Sequence, residues 1–382
     1  MHKKNEKRKI VTHLITTLDL GGAESMLFRL ISCIGNQSGL KHHVISLAGQ
    51  GAYAIQLRQM GISVTELNLS PKIKDMAALL KLFHILVQSK PKILQTWLYH
   101  ADLIGLLAGK LARVPKIIWN VRCSTIDFTH YANSTKLIFR ALTTLSYVPD
   151  AVIVNSVSGK YAHIKAGYRP RRWEVIPNGF DTETFKPPSM STRAKLRDEY
   201  LGLDDTTPVI GMVARYDPMK DHATFFQAAG MLSSVRPDIR YVMVGHGMCD
   251  KNPSLMRLIK ENNVVQKTLL VGERTDVQKI YPCFDINTLT SYSEGFPNAI
   301  GEAMACGVLC VATNAGDSAN IIGNTGKITP PRNPQALVQA WTELLSFPID
   351  KKKQMGFLAR KRILENFSIY KIAQLYERLY AE

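Results

Sequence analysis

The strongest constraint on this chain is an alternation that runs along it twice. Short apolar runs at residues 10–16, 43–48, 93–97, 116–121 and 151–155 are separated by stretches whose apolar residues recur at helical spacing. The pattern restarts at 208–214, 241–244, 268–271, 286–289 and 308–312. Brief apolar strands joined by helical crossovers predict parallel sheets with helices on both faces. Between the two series, residues 169–188 are rich in turn and breaker residues and read as an interdomain crossing. The sequence therefore predicts an α/β chain of two doubly wound, Rossmann-like domains, 1–186 and 187–365. A helical segment at 366–382 has an apolar face available to pack back on the first domain. Ligands of such folds bind at the carboxyl ends of the strands, so the two crevices are expected to face each other across a cleft.

Charge narrows the partners. The chain carries 48 Lys and Arg against 31 Asp and Glu, a net +17 over 382 residues. Residues 1–186 hold 25 basic against 11 acidic side chains, and residues 187–382 hold 23 against 20. A surplus confined to one half suggests an anionic partner there: a membrane surface, a nucleic acid or a phosphorylated substrate. Cys33, Cys123, Cys249, Cys283, Cys306 and Cys310 are too dispersed for a zinc motif or a disulfide framework and read as reduced thiols. The basic start is followed by a segment containing Thr12, His13, Thr16, Thr17 and Asp19, which reads as a tail and first strand rather than a signal peptide. No run of about 18 apolar residues is present, so no spanning helix is expected and a cytoplasmic location is.

Three segments carry chemistry. In the run from Ser293 to Gly307, Pro297 suits the first turn of a helix and Gly307 its end. Glu294 then lies in the preceding loop and Glu302 more than a turn inside. Amides near Asn298, Ala299 and Ile300 would welcome negative charge or sugar oxygens, and the two carboxylates could accept hydrogen bonds from different hydroxyls of one extended ligand. The blander alternative makes Glu294 a partner of the helix dipole and Glu302 a solvated residue. Arg215 and Lys220 follow the first strand of the second series, where two cations suit a diphosphate; their alternative is a solvated loop. Gly21 and Gly22 close the first strand and open a helix, which lets backbone amides approach a phosphate. A plain tight turn would look the same, and the full Gly-x-Gly-x-x-Gly fingerprint is absent.

Together, Glu-Gly-Phe-Pro-Asn-Ala-Ile-Gly-Glu at 294–302, the Arg215/Lys220 pair, Gly21-Gly22-Ala-Glu24 and Val175-Ile-Pro-Asn-Gly-Phe-Asp181 resemble the family 4 glycosyltransferases of the GT-B fold over nearly the whole chain. The resemblance implies a retaining transferase that takes a sugar from a nucleoside-diphosphate donor, commonly a UDP-sugar. By the same resemblance Arg215 and Lys220 hold and stabilise the leaving diphosphate, Glu302 binds the ribose, and Glu294 with the following amides holds the donor sugar. Gly21 and Gly22 would close over the phosphates, and Arg274 falls near the nucleobase. No metal or other cofactor is implied, and no Asp-x-Asp motif is present. Two departures stand out. Arg122 occupies a place where many members carry a His, and it cannot act as a base; with His100 it is an acceptor-side candidate, Arg122 being suited to a pyrophosphate. Asn320 stands where relatives often have Glu.

Basic amphipathic segments at 72–92 and 136–148 fit attachment to anionic lipid, although each apolar face would equally serve as core. The expected partners are a nucleotide-sugar donor, a lipid-linked saccharide acceptor and the inner face of the cell membrane, as in surface polysaccharide assembly. A nucleotide-sugar 2-epimerase or a soluble transferase of the same fold is the alternative. A nucleic-acid-binding protein is the alternative of another class, with no recognisable module to support it.

Overall fold

The computed structural model describes residues 9–19, 21–35, 39–69, 76–122 and 133–382. The chain divides into two compact units, Met1–Gly179 with Ile369–Glu382, and Phe180–Ser368.

In the first unit the order is β1 (Lys9–Ile15), α1 (Gly22–Ile34), β2 (Leu40–Ser46), α2 (Ala52–Gln59), β3 (Ser63–Glu66), α3 (Met76–Ser89), β4 (Ile93–Trp97), α4 (Tyr99–Leu111), β5 (Lys116–Val121), α5 (Asn133–Leu145), β6 (Ala151–Val154), α6 (Val157–Lys165) and β7 (Trp173–Val175). Among the described residues the strands pair in parallel in the order β3-β2-β1-β4-β5-β6-β7. The order reverses between β1 and β4, the switch point where such sheets open a crevice. Near-continuous apolar strands are what a sheet covered on both faces requires. One face packs Leu27, Leu30 and Ile31 of α1 against Val11 and Trp97; the other packs Leu82, Leu86, Leu106 and Phe139 against Leu94 and Trp119. Residues 173–175, read from the sequence as part of a crossing, are the edge strand β7.

The second unit contains α7 (Met190–Leu201), β8 (Val209–Val213), α8 (His222–Val235), β9 (Arg240–Val244), α9 (Pro253–Glu261), β10 (Thr268–Gly272), α10 (Val277–Ile280), β11 (Ile286–Leu289), α11 (Asn298–Ala305), β12 (Leu309–Thr313), α12 (Ser318–Ile322), β13 (Lys327–Thr329), α13 (Pro334–Ser346) and α14 (Ile349–Phe367). Its sheet order is β10-β9-β8-β11-β12-β13, with the switch between β8 and β11. The last helix, α15 (Ile369–Ala381), belongs to the first unit: Tyr376 and Tyr380 are buried in the α1 face, and the Tyr376 hydroxyl accepts from Asn120 Nδ2 at 3.0 Å.

Gly301 of α11 lies against the ring of Phe180, where a Cβ would come within 2.1 Å of its Cζ. Phe180 is fully buried. Alanine normally gains helix stability over glycine by up to about 1 kcal/mol, but the overlap with a ring that cannot retreat costs more, roughly 1–3 kcal/mol. Gly301→Ala is expected to lower Tm by several degrees in a thermal melt; an unchanged or raised Tm would show that the ring yields freely.

Four buried histidines, His13, His42, His163 and His222, set the acid limit, and burial lowers His13 well below its ordinary value. Burial lowers His42, His163 and His222 each to about 4. His163 is satisfied as a neutral ring, between the Gly159 carbonyl at 2.7 Å and the Tyr99 hydroxyl at 2.7 Å. The unfolded chain takes up these protons near pH 6.5 and the folded one does not. Stability is therefore intact above 6.5 and lost as pH falls towards 4, by up to roughly 3 kcal/mol per ring. Denaturant melts from pH 7 to 4 should show the midpoint falling across that window; a flat profile would contradict the buried neutral state.

Candidate functional site

At the switch point of the second unit, the segments after β8 and β11 are stitched together. Asp217 accepts from the Met219 amide at 2.9 Å and starts a 3₁₀ turn, Pro218–Lys220, that aims Lys220 back over the sheet. Asp221 then caps α8, accepting from the Thr224 amide; its φ of 49° lets one residue end the turn and begin the helix. Thr290 donates to the carbonyls of Lys220 and Asp221 at 2.8 and 3.0 Å, and the Tyr292 amide donates to the Met219 carbonyl at 3.1 Å.

This scaffold holds an ion pair. Lys220 Nζ lies 2.5 Å from Glu294 Oε1, and Ser291 Oγ donates to the same oxygen at 2.6 Å. The side chains are only 19% and 10% exposed. Gly316, at φ 56°, allows the loop after β12 to approach the Glu294 and Gly295 carbonyls, and the Asp317 amide donates to Gly295. Arg215 is largely exposed and forks onto Asp217 at 3.0 and 3.1 Å. Burial pulls the Asp217 carboxyl upward, but the Met219 amide and the Arg215 guanidinium outweigh it and hold it below the usual carboxylate range.

Glu302 is 8% exposed, so it is not the solvated residue of the blander alternative. Its Oε2 accepts from the fully buried Tyr281 hydroxyl at 3.0 Å. Burial first, and then the Glu302 charge, push the Tyr281 phenol well above its ordinary value, so it stays an O–H donor. Pro297 is the N-cap residue of α11 rather than its first turn. The Ile300 amide donates to the Pro297 carbonyl at 3.3 Å, so the amide expected to be open there is taken; Asn298 and Ala299 remain partly exposed at the helix start. Arg274 follows the edge strand β10, two strands from β8, where it forks onto Asp276 at 2.8 and 2.9 Å and stacks on Tyr200. The Asn320 side chain is exposed, and its carbonyl accepts from Arg362 at 2.6 Å. Ser291 and Tyr281 are additions that no sequence pattern pointed to.

In the first unit, Gly21 is the N-cap residue of α1, and a Cβ there would fall 2.3 Å from Glu24 Oε2. Glu24 is buried, and burial raises its carboxyl. His100, in the first turn of α4, is partly buried and lowered by that burial. Arg122 directly follows β5, among neutral oxygens: Asn178 Oδ1 at 2.6 Å, Asn120 Oδ1 at 3.2 Å and the Tyr376 hydroxyl at 3.4 Å.

A tethered Lys220–Glu294 pair at a sheet switch point, with a second shielded carboxylate in the helix that follows, is chemistry suited to an anionic, hydroxyl-bearing ligand. Comparisons with known proteins agree in class. Residues 20–184 match the model described as Glycosyltransferase Family 4, and residues 207–346 the one described as Glycosyl transferases group 1. An Escherichia coli UDP-Gal:α-D-GlcNAc-diphosphoundecaprenol α-1,3-galactosyltransferase is 29% identical over 81% of this chain and 80% of its own. The Campylobacter jejuni N,N′-diacetylbacillosaminyl-diphospho-undecaprenol α-1,3-N-acetylgalactosaminyltransferase is 26% identical over 89% and 91%. A crystal structure of Anabaena HepE with UDP-glucose superposes with a TM-score of 0.83 at 23% identity, over 98% of this chain and all of that one. Two parallel-sheet units, matched in turn by these two domain families across most of the sequence, make the chain a member of the family 4 glycosyltransferases of the GT-B fold.

Proposed function

We propose that the protein is a retaining glycosyltransferase that moves a sugar from a UDP-sugar to a lipid-linked, diphosphate-bearing saccharide in surface polysaccharide synthesis. The observation that carries the donor half is the Lys220–Glu294 pair, held 2.5 Å apart on a loop scaffold at the switch point. In this reading Lys220 and Arg215 take the diphosphate, and fixed cations stabilise the charge that grows as it leaves. Glu294 holds sugar hydroxyls, Glu302 the ribose, Gly21 and Gly22 approach the phosphates, and Arg274 serves the nucleobase. The acceptor hydroxyl attacks from the face the diphosphate leaves, and a phosphate oxygen takes its proton. The acceptor class rests on the two relatives above, both named for diphosphoundecaprenol-linked saccharides.

Attachment to the inner face of the membrane is part of the same reading. In the layer formed by α3, α4 and α5, Leu80, Leu107, Leu111 and Leu137 are 45–69% exposed, and Lys81, Lys110, Arg113 and Arg140 are exposed with them. Lysines 72 and 74, counted from the sequence towards this surface, lie outside the described residues. Among the described residues no helix is long and apolar enough to cross a membrane. Apolar side chains ringed by cations suit an anionic bilayer surface.

The test is incubation of the purified protein with a panel of nucleotide sugars and lipid-linked acceptors, followed by the mass of the elongated product. The expected result is one added hexose or N-acetylhexosamine, with the donor's anomeric configuration kept, from a UDP-sugar. An inverted linkage or exclusive use of another nucleotide would overturn the finer assignment. Because Lys220 and Arg215 supply the countercharge, transfer is expected to continue undiminished in EDTA; abolition restored by a divalent cation would sink the metal-free mechanism. Salt-sensitive binding to vesicles of anionic lipid, without comparable DNA binding, tests the surface.

A further inference from the structure

Arg122, the residue after β5, is a cation whose hydrogen-bond partners are neutral. Among the described residues no carboxylate forms an ion pair with it, and its printed partners are three neutral oxygens. Its Cζ lies 5.1 Å from the ring centroid of Trp97, which is fully buried. Cations drawn out of water are normally paired, and neutral oxygens plus a stacked ring orient a guanidinium without cancelling its charge. The partners come from three parts of the first unit. Asn120 lies on β5, Tyr376 on α15, and Asn178 in the segment after β7. The fork is therefore fixed from several sides.

A guanidinium has five N–H groups. Nη1 serves Asn120 and Tyr376, and Nη2 serves Asn178, which leaves Nε–H and one Nη2–H outside these three contacts. Two such N–H groups on one guanidinium can take oxygens of a phosphate or carboxylate. The residue keeps part of its surface open, at the carboxyl end of the strand next to β4 and one removed from the switch point. The Tyr376 phenol and the Glu24 carboxyl act on it electrostatically, and Glu24 makes no ion pair with it among the described residues.

We propose that Arg122 binds a phosphate group of the acceptor, taking its oxygens on the two N–H groups that its neutral partners leave. This rests on the transferase reading above. The donor diphosphate is the other source of the same chemistry, but the second unit already offers it Arg215 and Lys220, whereas no described first-unit carboxylate is in ion-pair contact with Arg122.

The experiment compares wild type, Arg122→Lys and Arg122→Gln with two acceptors of the same saccharide: one linked through a diphosphate, the other an uncharged alkyl glycoside. Each variant is first checked for a cooperative melt, and Arg122→Lys supplies a charged variant should Arg122→Gln fold poorly. The expected result is a 10–100-fold rise in KM for the diphosphate acceptor in Arg122→Gln and a smaller one in Arg122→Lys. KM for the donor and kinetics with the alkyl glycoside should hold within about threefold. A KM rise for the donor instead, or equal losses with both acceptors, overturns the assignment. A second readout needs no turnover. Inorganic pyrophosphate titrated into an Arg215→Ala/Lys220→Ala background should give calorimetric binding that Arg122→Gln abolishes, and binding that survives Arg122→Gln overturns the proposal. If wild type elongates neither acceptor yet the titration behaves as expected, it is the transferase reading that fails and the phosphate site that stands.

Discussion

Lys220→Ala will lower kcat for sugar transfer by about 10²–10³-fold, the usual cost of removing one preorganised group from a developing negative charge. The side chain is 19% exposed and its neighbours leave it little freedom: Thr290 holds its carbonyl at 2.8 Å and Glu294 its ammonium at 2.5 Å. A loosely solvated lysine would bring far less, because water would screen it and reorganise around it. The same substitution takes from Glu294, a carboxylate only 10% exposed, the ammonium that pairs with it, while Ser291 still donates to the same oxygen. Stranding one half of a buried pair costs about 3 kcal/mol, so Tm should fall as well. The two effects separate in the double variant. Lys220→Ala/Glu294→Ala removes the stranded charge and should recover part of the lost Tm while transfer stays lost. Rates are measured well below each variant's Tm. Transfer within tenfold of wild type in folded Lys220→Ala would remove this residue from the reaction.

What could be read in the sequence was whatever local physics decides. Buried strands such as Ile93–Trp97, Lys116–Val121 and Ile286–Leu289 appear as apolar runs with matching bounds because both faces are covered. Of the edge strands, β10 was legible as the apolar run at 268–271, and the other three were not. Ser63-Val-Thr-Glu66 mixes polar and apolar residues, and Trp173-Glu-Val175 and Lys327-Ile-Thr329 are too short to show a period, so their strand character comes from the neighbour they pair with. At the site, Lys220, Glu294 and Glu302 were legible through spacing after a strand and across a helix start. Ser291 and Tyr281 were not, because Ser291 merely precedes a loop and Tyr281 reaches Glu302 across 21 residues of sequence. The cation of Arg122 could be read, but its neutral surroundings, drawn from residues 120, 178 and 376, could not.

Glu302→Ala should raise donor KM by about 10²–10⁴-fold with a smaller change in kcat. A carboxylate that accepts from two hydroxyls contributes about 1.5–3 kcal/mol per charged hydrogen bond, and a ribose offers two. That binding is made in ground and transition states alike, so its loss appears in KM. The geometry also ranks the variants. Tyr281 occupies Oε2 at 3.0 Å and fixes the rotamer. Glu302→Gln keeps a carbonyl oxygen for Tyr281 but gives up the charge, so it should lose roughly tenfold less than alanine. Tyr281→Phe leaves the carboxylate in place and unfixed, and a KM rise of about 3–10-fold is expected, since one neutral-to-charged hydrogen bond is being asked only to orient. Alanine at 302 leaves the Tyr281 hydroxyl buried without this partner, a cost of about 1–3 kcal/mol in stability. Phenylalanine at 281 removes the donor itself and should rescue part of that loss when combined with Glu302→Ala. If donor KM in Glu302→Ala stays within threefold of wild type while Tm falls, the carboxylate serves the fold and not the nucleotide.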